Sequence, residues 1–224
     1  MPSLTTLRLD VAADHATTIG KQLQSHALSL PTVKTLVLGP SAEFLIARCP
    51  NATTISSSST SFVSAAEDWS TPAHSTKLIA AAAAAGTRVR HFELHTVWGT
   101  TAPPEPQQIA AALPHLVVLA IGGNLYSTSL APVLAPLAQL ATLRVLALPA
   151  VDYLSAGLVP EHRRRFEDHA ARIVFARLGA LEKVWIGERA CARALRLDSG
   201  VWTGELVWER GERRERPCEY GWRE

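Results

Sequence analysis

The sequence predicts an α/β solenoid: a curved parallel sheet with helices on its convex side and a capping strand region at the C-terminus. Three observations carry that expectation. An apolar-x-x-apolar-x-apolar hexad returns along the chain, a matching lead-in precedes most copies, and the stretches between copies switch to helical period. Side chains alternate between the two faces of a strand, so the fourth and sixth places of each hexad enter a core. The third and fifth places then face the opposite side.

Seven copies begin at Leu4 (with Leu7 and Leu9), Val33 (Leu36, Leu38), Ala52 (Ile55, then Ser57), Val89 (Phe92, Leu94), Leu116 (Leu119, Ile121), Leu143 (Leu146, Leu148) and Leu181 (Val184, Ile186). The copy at Ala52 fits poorly, because Ser57 stands where an apolar residue is expected. Leu30-Pro31, Cys49-Pro50, Leu113-Pro114, Leu140-Ala141 and Leu178-Gly179 each lie three residues ahead of a hexad.

Between the copies, Ile19, Leu23 and Ala27 share a face of a helix over about 14–29, and Lys77 to Ala85 is an alanine-rich helix former. A short helix is expected from Gln107 to Leu113. Leu130, Val133, Leu134, Leu137 and Leu140 form an apolar stripe that Pro136 should kink or shorten. The strongest helix spans 160–178, with Phe166, Ala170, Ile173, Val174 and Leu178 on its buried side. Strand–helix alternation at these lengths implies parallel strands joined by right-handed crossovers. Ser56 to Ser64 and His95 to Pro106 are expected as loops, and Gly122-Gly123 as a turn.

The array is expected over residues 1–190 and a C-terminal cap or charged tail over 191–224. Residues 1–150 hold 15 charged side chains and 151–224 hold 27, which marks the change. In the tail, Trp202, Leu206 and Trp208 fall on one face of a strand from Val201 to Trp208. A net charge of +2 is too mild to imply a nucleic-acid or membrane partner. Pro132, Pro136, Gln139 and Arg144 break the one long apolar run, Leu130 to Val151. The widely spaced Cys49, Cys191 and Cys218 and the absence of a signal-peptide pattern lead to an intracellular expectation, cytoplasm or nucleus. The acceptor pattern Asn51-Ala52-Thr53 is then accidental.

In these hexads and in the Cys-Pro-Asn and Leu-Pro lead-ins, the chain resembles the leucine-rich repeat family, in the irregular form of fungal F-box-type proteins. The resemblance covers about residues 4–190. It implies a non-enzymatic protein-interaction module, the substrate-recognition part of an F-box-type ubiquitin-ligase receptor, with no F-box in this sequence. One departure is plain. The family places Asn or Cys three residues after the last Leu, and here only Asn124 does so, which excludes a continuous asparagine ladder. The first hexad has no helix ahead of it, so a capping chain or a missing N-terminal domain is expected to cover that end.

The catalytic templates fail: the chain has no Gly-x-Ser-x-Gly, no phosphate-binding glycine loop and no His-Glu-x-x-His. No metal, cofactor or catalytic residue is expected. The run Glu161 to Asp168, with His162 and His169, reads as a solvated helix flank with carboxylate–arginine pairs such as Asp168 with Arg172. The outward places carry the expected contact residues: His91, Glu93, Val118, Val145, Lys183 and Trp185, on the concave sheet face toward a protein partner. Val118, Ala120, Val145 and Ala147 form a small apolar strip that Trp185 extends. Either an external partner or the tail's own Trp202 and Trp208 would cover it. The competing class is a hydrolase-like enzyme using a His91–Glu93 acid–base pair, and a scaffold repeat with no dedicated site is the third. Trp69 and Trp98 are expected to be buried between units or to anchor an interface.

Overall fold

The computed structural model describes residues 4–57, 72–85, 88–98, 105–125, 130–149, 160–187 and 190–210. Among them, nine strands form one open, mostly parallel sheet, whose order across the sheet is the order along the chain. They are β1 (Thr6–Leu9), β2 (Thr35–Leu38), β3 (Thr54–Ser57), β4 (His91–Trp98), β5 (Val118–Leu125), β6 (Val145–Leu148), β7 (Lys183–Ile186), β8 (Ala190–Arg196) and β9 (Trp202–Arg210). The first seven run parallel, and each begins at the third place of a hexad. Strands β8 and β9 continue the sheet antiparallel. The helices are α1 (Ala13–Ser25), α2 (Phe44–Arg48), α3 (Pro72–Ala84), α4 (Glu105–Ala112), α5 (Ala131–Leu137) and α6 (Pro160–Arg177).

The lead-ins are turns. In five of them the N–H of the hexad's first residue donates to the carbonyl three residues back: Val33 to Leu30, Ala52 to Cys49, Leu116 to Leu113, Leu143 to Leu140 and Leu181 to Leu178, at 3.0–3.3 Å. Pro31, Pro50 and Pro114 occupy the second turn position, where their fixed φ is already correct. After each turn the backbone repeats one contact. The second-place carbonyls of Thr5, Lys34, Thr53, Arg90, Val117 and Arg144 each accept two N–H groups from the next unit, at 2.7–3.1 Å.

Side chains tie neighbouring turns together as well. Asn51 Nδ2 donates to Pro31 O at 2.9 Å, Arg90 Nη1 to His115 O at 3.1 Å and Arg144 Nη1 to Ala180 O at 2.9 Å. Arg88 reaches Pro50 O, and Thr142 Oγ1 donates to Leu116 O at 2.7 Å. The ties between units therefore lie at the N-terminal ends of the strands, opposite the end where an asparagine ladder would sit.

Fourth- and sixth-place residues of β2 to β7, Ser57 apart, join one core cluster with Leu45, Ile46, Leu78, Ile109, Val133, Leu137, Val174 and Phe175 of α2 to α6. The helices thus cover one face of the sheet. Three expectations need correction. Phe166 is exposed; Ala170, Val174 and Leu178 are buried as expected, and Glu167, Ala171 and Phe175 join them. The rotation follows from Glu167, which is held by Arg163 at 3.2 Å and by Arg210 of β9. The segment after His95 is not a loop at once: β4 runs to Trp98, paired with β5 as far as Leu125. Gly122 and Gly123 lie inside β5 rather than in a turn. Trp69, residues 58–64 and residues 99–104 lie outside the described residues.

At the C-terminal end the expected strand is β9, and β8 was not foreseen. Trp202, Leu206 and Trp208 share one face and pack on the helix side of the sheet. Trp202 meets the Phe175 ring at 6.1 Å between centroids, and Trp208 Nε1 donates to Asp168 Oδ1 at 3.3 Å. The expected Asp168–Arg172 pair is present at 2.7 Å, and this hydrogen bond holds the Asp168 carboxyl below its usual pKa.

Helix α1 ends with Leu28 N–H donating to Leu23 O and with Ala27 in the left-handed region at φ 48°. That conformation costs a residue with a Cβ about 1–2 kcal/mol and costs glycine little. Ala27 is exposed, so no packing is lost on removing its methyl. Ala27→Gly is expected to raise the melting temperature by about 2–4 °C, the shift that about 1 kcal/mol gives at this size. A thermal melt showing no rise would contradict this helix end.

Candidate functional site

The face opposite the helices is the candidate site, and strict register organises it. Third-place residues pair directly across seven strands: Thr6, Thr35, Thr54, His91, Val118, Val145 and Lys183. Fifth-place residues form a second row: Arg8, Val37, Ser56, Glu93, Ala120, Ala147 and Trp185. Neighbouring strands lie ~4.8 Å apart, so each row is ~29 Å long.

The rows differ in access. Thr6 and His91 are exposed, and Val118, Val145 and Lys183 are half-buried. In the fifth-place row Val37, Ser56, Glu93, Ala120 and Ala147 are all buried, while Trp185 is half-buried. Glu93 faces the expected side but is only 3% exposed, so it is not a surface contact. Ala120 and Ala147 leave the accessible apolar strip for the same reason, which reduces it to Val118, Val145 and Trp185.

A carboxylate this deep must be satisfied by polar neighbours. Ser56 Oγ donates to Glu93 Oε2 at 3.0 Å, and His95 Nε2 lies 3.8 Å from Glu93 Oε1. His91 is not Glu93's partner. It sits beside Thr54 instead, Nδ1 to Oγ1 at 3.4 Å, and partial desolvation there lowers its pKa below the ordinary histidine value. The shift favours the neutral imidazole of His91.

His95 went unrecognised in the sequence. The signal was the period-two run His91, Glu93, His95, which continues the strand beyond the hexad. Its ring occupies space that only a glycine opposite leaves free. His95 pairs in register with Gly122, where a Cβ would stand 2.5 Å from His95 Nδ1.

Toward the C-terminal end the face becomes charged. Glu209 Oε1 accepts from Arg193 Nε at 2.8 Å, and its other oxygen lies 3.7 Å from Lys183 Nζ. Lys183 also stands 5.6 Å over the Trp185 ring. Cys191, in register with Trp185, is fully buried, and burial pushes its thiol up to about 11, as it does for Cys49. Both stay protonated at neutral pH.

Trp202 and Trp208 lie on the other side of the sheet, so the tail's tryptophans do not cover the Val118–Val145 strip. Among the described residues no group of three or more His, Cys, Asp and Glu is placed to hold a metal ion, and no helix is long and apolar enough to cross a membrane. No family model and no curated protein matches the sequence.

Gly122→Ala is expected to expel the His95 ring and separate it from Glu93. Overpacking of this kind costs about 1–3 kcal/mol. Histidine NMR shifts together with a thermal melt check it: an unshifted His95 signal at unchanged stability would refute the stacking.

Proposed function

We propose that the chain is a non-enzymatic protein-recognition module, a leucine-rich-repeat-like solenoid that meets its partner with the helix-free sheet face. The observation that carries this reading is the third-place row. It presents hydroxyls at Thr6, Thr35 and Thr54, an imidazole at His91, an apolar step at Val118 and Val145, and a lysine at Lys183. Such a graded row suits a protein surface that is apolar opposite Val118 and Val145 and carries charges of both signs toward Lys183, Glu209 and Arg193. Six identical double-acceptor junctions support the repeat reading. The resemblance to fungal F-box-type proteins makes the substrate-recognition part of a ubiquitin-ligase receptor the specific role.

Half-buried apolar residues near the centre of a face are where binding energy concentrates. A Val118→Glu/Val145→Glu variant with an unchanged melting temperature is expected to lose at least about tenfold in affinity for a partner identified with the wild type. Equal capture by both would end the reading.

The Ser56–Glu93–His95 arrangement favours a second reading, a hydrolase-like acid–base site. In it Ser56 donates to the carboxylate rather than to the imidazole, which is not the order that activates a nucleophile. A broad ester and peptide substrate screen decides: turnover by the wild type that His95→Ala abolishes would replace the binding-module reading with this one.

A further inference from the structure

We infer that the rim of the sheet at the N-terminal ends of its parallel strands is a docking surface for an extended acidic segment of a partner polypeptide. This rim is a different surface from the helix-free face, and its charge, not the repeat reading, carries the inference.

The net charge of +2 hides where the charges lie. The lead-in turns and second places span residues 26–34, 48–53, 88–90, 112–117, 138–144 and 177–182. They carry Lys34, Arg48, Arg88, Arg90, Arg144 and Arg177 against a single side-chain carboxylate, Glu182. The helix starts, on the opposite rim, carry Asp14, Glu43 and Glu105 instead. Helix polarity accounts for Arg48 and Arg177, in the last turns of α2 and α6. It does not account for Lys34, Arg88, Arg90 and Arg144, which lie outside the α-helices.

The arginines are held in place without being neutralised. Arg88 donates to Pro50 O, Arg90 Nη1 to His115 O at 3.1 Å and Arg144 Nη1 to Ala180 O at 2.9 Å. A carbonyl takes up one of the guanidinium's N–H donors and leaves the charge uncancelled. Among the described residues only Arg144 of these four cations is paired with a carboxylate, Glu182 at 3.6 Å, whose side chain is 69% exposed. Lys34, Arg88 and Arg90 are exposed. Guanidinium groups already fixed by the fold lose little freedom on meeting a carboxylate, which favours binding there.

The spacing suits a chain of carboxylates. Lys34, Arg90 and Arg144 stand at the second places ahead of β2, β4 and β6, so each step crosses two strands, or ~10 Å. A polyproline-II segment rises ~3.1 Å per residue and brings every third side chain to one face, ~9 Å apart. Carboxylates at every third place therefore meet the three cations in turn. The rim holds no aromatic residue on which a base could stack, which favours a polypeptide over single-stranded nucleic acid.

The probe is a dye-labelled peptide of Glu-Pro-Pro repeated three times, titrated into the full chain and followed by anisotropy and backbone NMR. Binding is expected at about 20 mM salt and is expected to weaken at least about tenfold by about 200 mM. The amides that shift are expected to be those of the turns around Lys34, Arg90 and Arg144. Lys34→Glu, at an exposed position, is expected to weaken binding at least about fivefold at an unchanged melting temperature. Arg165→Glu makes the same change in net charge about 18 Å along α6 from Arg177, and is expected to leave the affinity within about twofold. Four results overturn the inference: no binding at millimolar peptide in low salt, equal losses from Arg165→Glu and Lys34→Glu, shifts at Val118 and Val145 instead of the turns, or tighter binding of an oligothymidylate of equal charge. Val118→Thr/Val145→Thr, a neutral change on the helix-free face, is expected to bind the peptide as the wild type does, so the rim and the recognition face can fail separately.

Discussion

One carbonyl per unit holds the architecture in register. The second-place C=O accepts two N–H groups from the next unit, and it does so from Thr5 through Arg144 without a miss. A parallel pair slipped by one residue would turn every side chain to the wrong face. Fixing that one acceptor therefore fixes which residues reach the core. The contact costs little in sequence, because any residue has a carbonyl, and so the second place varies freely between Thr, Lys, Arg and Val. What must be conserved in chemistry is the turn before it. An apolar residue begins each turn, half-buried at Leu30 and buried at Cys49, Leu113, Leu140 and Leu178, and Pro, Ala or Gly follows.

The irregular third unit shows how the same frame tolerates a polar fault. Ser57 stands in a core place and is fully buried. Its Oγ accepts the His95 backbone N–H at 2.7 Å, in the stretch where β4 outruns β3. Ser56, one residue earlier, points to the other face and donates to Glu93. Two adjacent serines thus satisfy groups on opposite sides of the sheet, as alternation demands. Leaving either partner bare at that depth would cost about 1–3 kcal/mol. The polar cluster around Glu93 is consequently part of how β3 and β4 pair, whatever else it does.

The parts that were legible share a cause. Hexads and lead-ins are set by local chemistry, so all seven parallel strands, their register and the α6 helix were readable. The same holds for the Asp168–Arg172 pair, an i to i+4 contact on one helix. The parts that were not legible depend on neighbours distant in sequence. Gly122-Gly123 looks like a turn until His95 of the adjacent strand is seen to need the space. Phe166 fits the apolar stripe of α6, but Arg210, 43 residues further on, draws Glu167 inward and turns the helix. Ala190 to Arg196 alternates small and charged residues, too weak a hydrophobic signal to declare a strand, and pairing with β7 makes it one. On the candidate face the hexad pattern sets the direction of side chains but not their depth. Glu93, Ala120 and Ala147 point as expected and are nonetheless closed off.

The C-terminal part of the sheet is built differently from the parallel part. There the chain reverses, so β8 and β9 follow the parallel strands as an antiparallel hairpin. The hairpin is locked from the helix side by aromatic packing of Trp202 on Phe175, by Arg172 donating to Gly204 O at 2.7 Å and by Arg210 over the Trp208 ring. Those contacts lie on the helix-bearing face, so they do not cross the opposite face of β8 and β9. Arg193 and Val207 extend the third-place row, and Cys191 and Glu209 extend the fifth. The hairpin therefore lengthens the candidate face by two strands. Its charged residues, Arg193 and Glu209, sit where they bracket Lys183 and set the electrostatic character of that end. Exposed pairs of this kind add little to stability. Their consequence is felt in selectivity, because a partner approaching the Lys183 end must complement a fixed pattern of alternating charge rather than a lone cation.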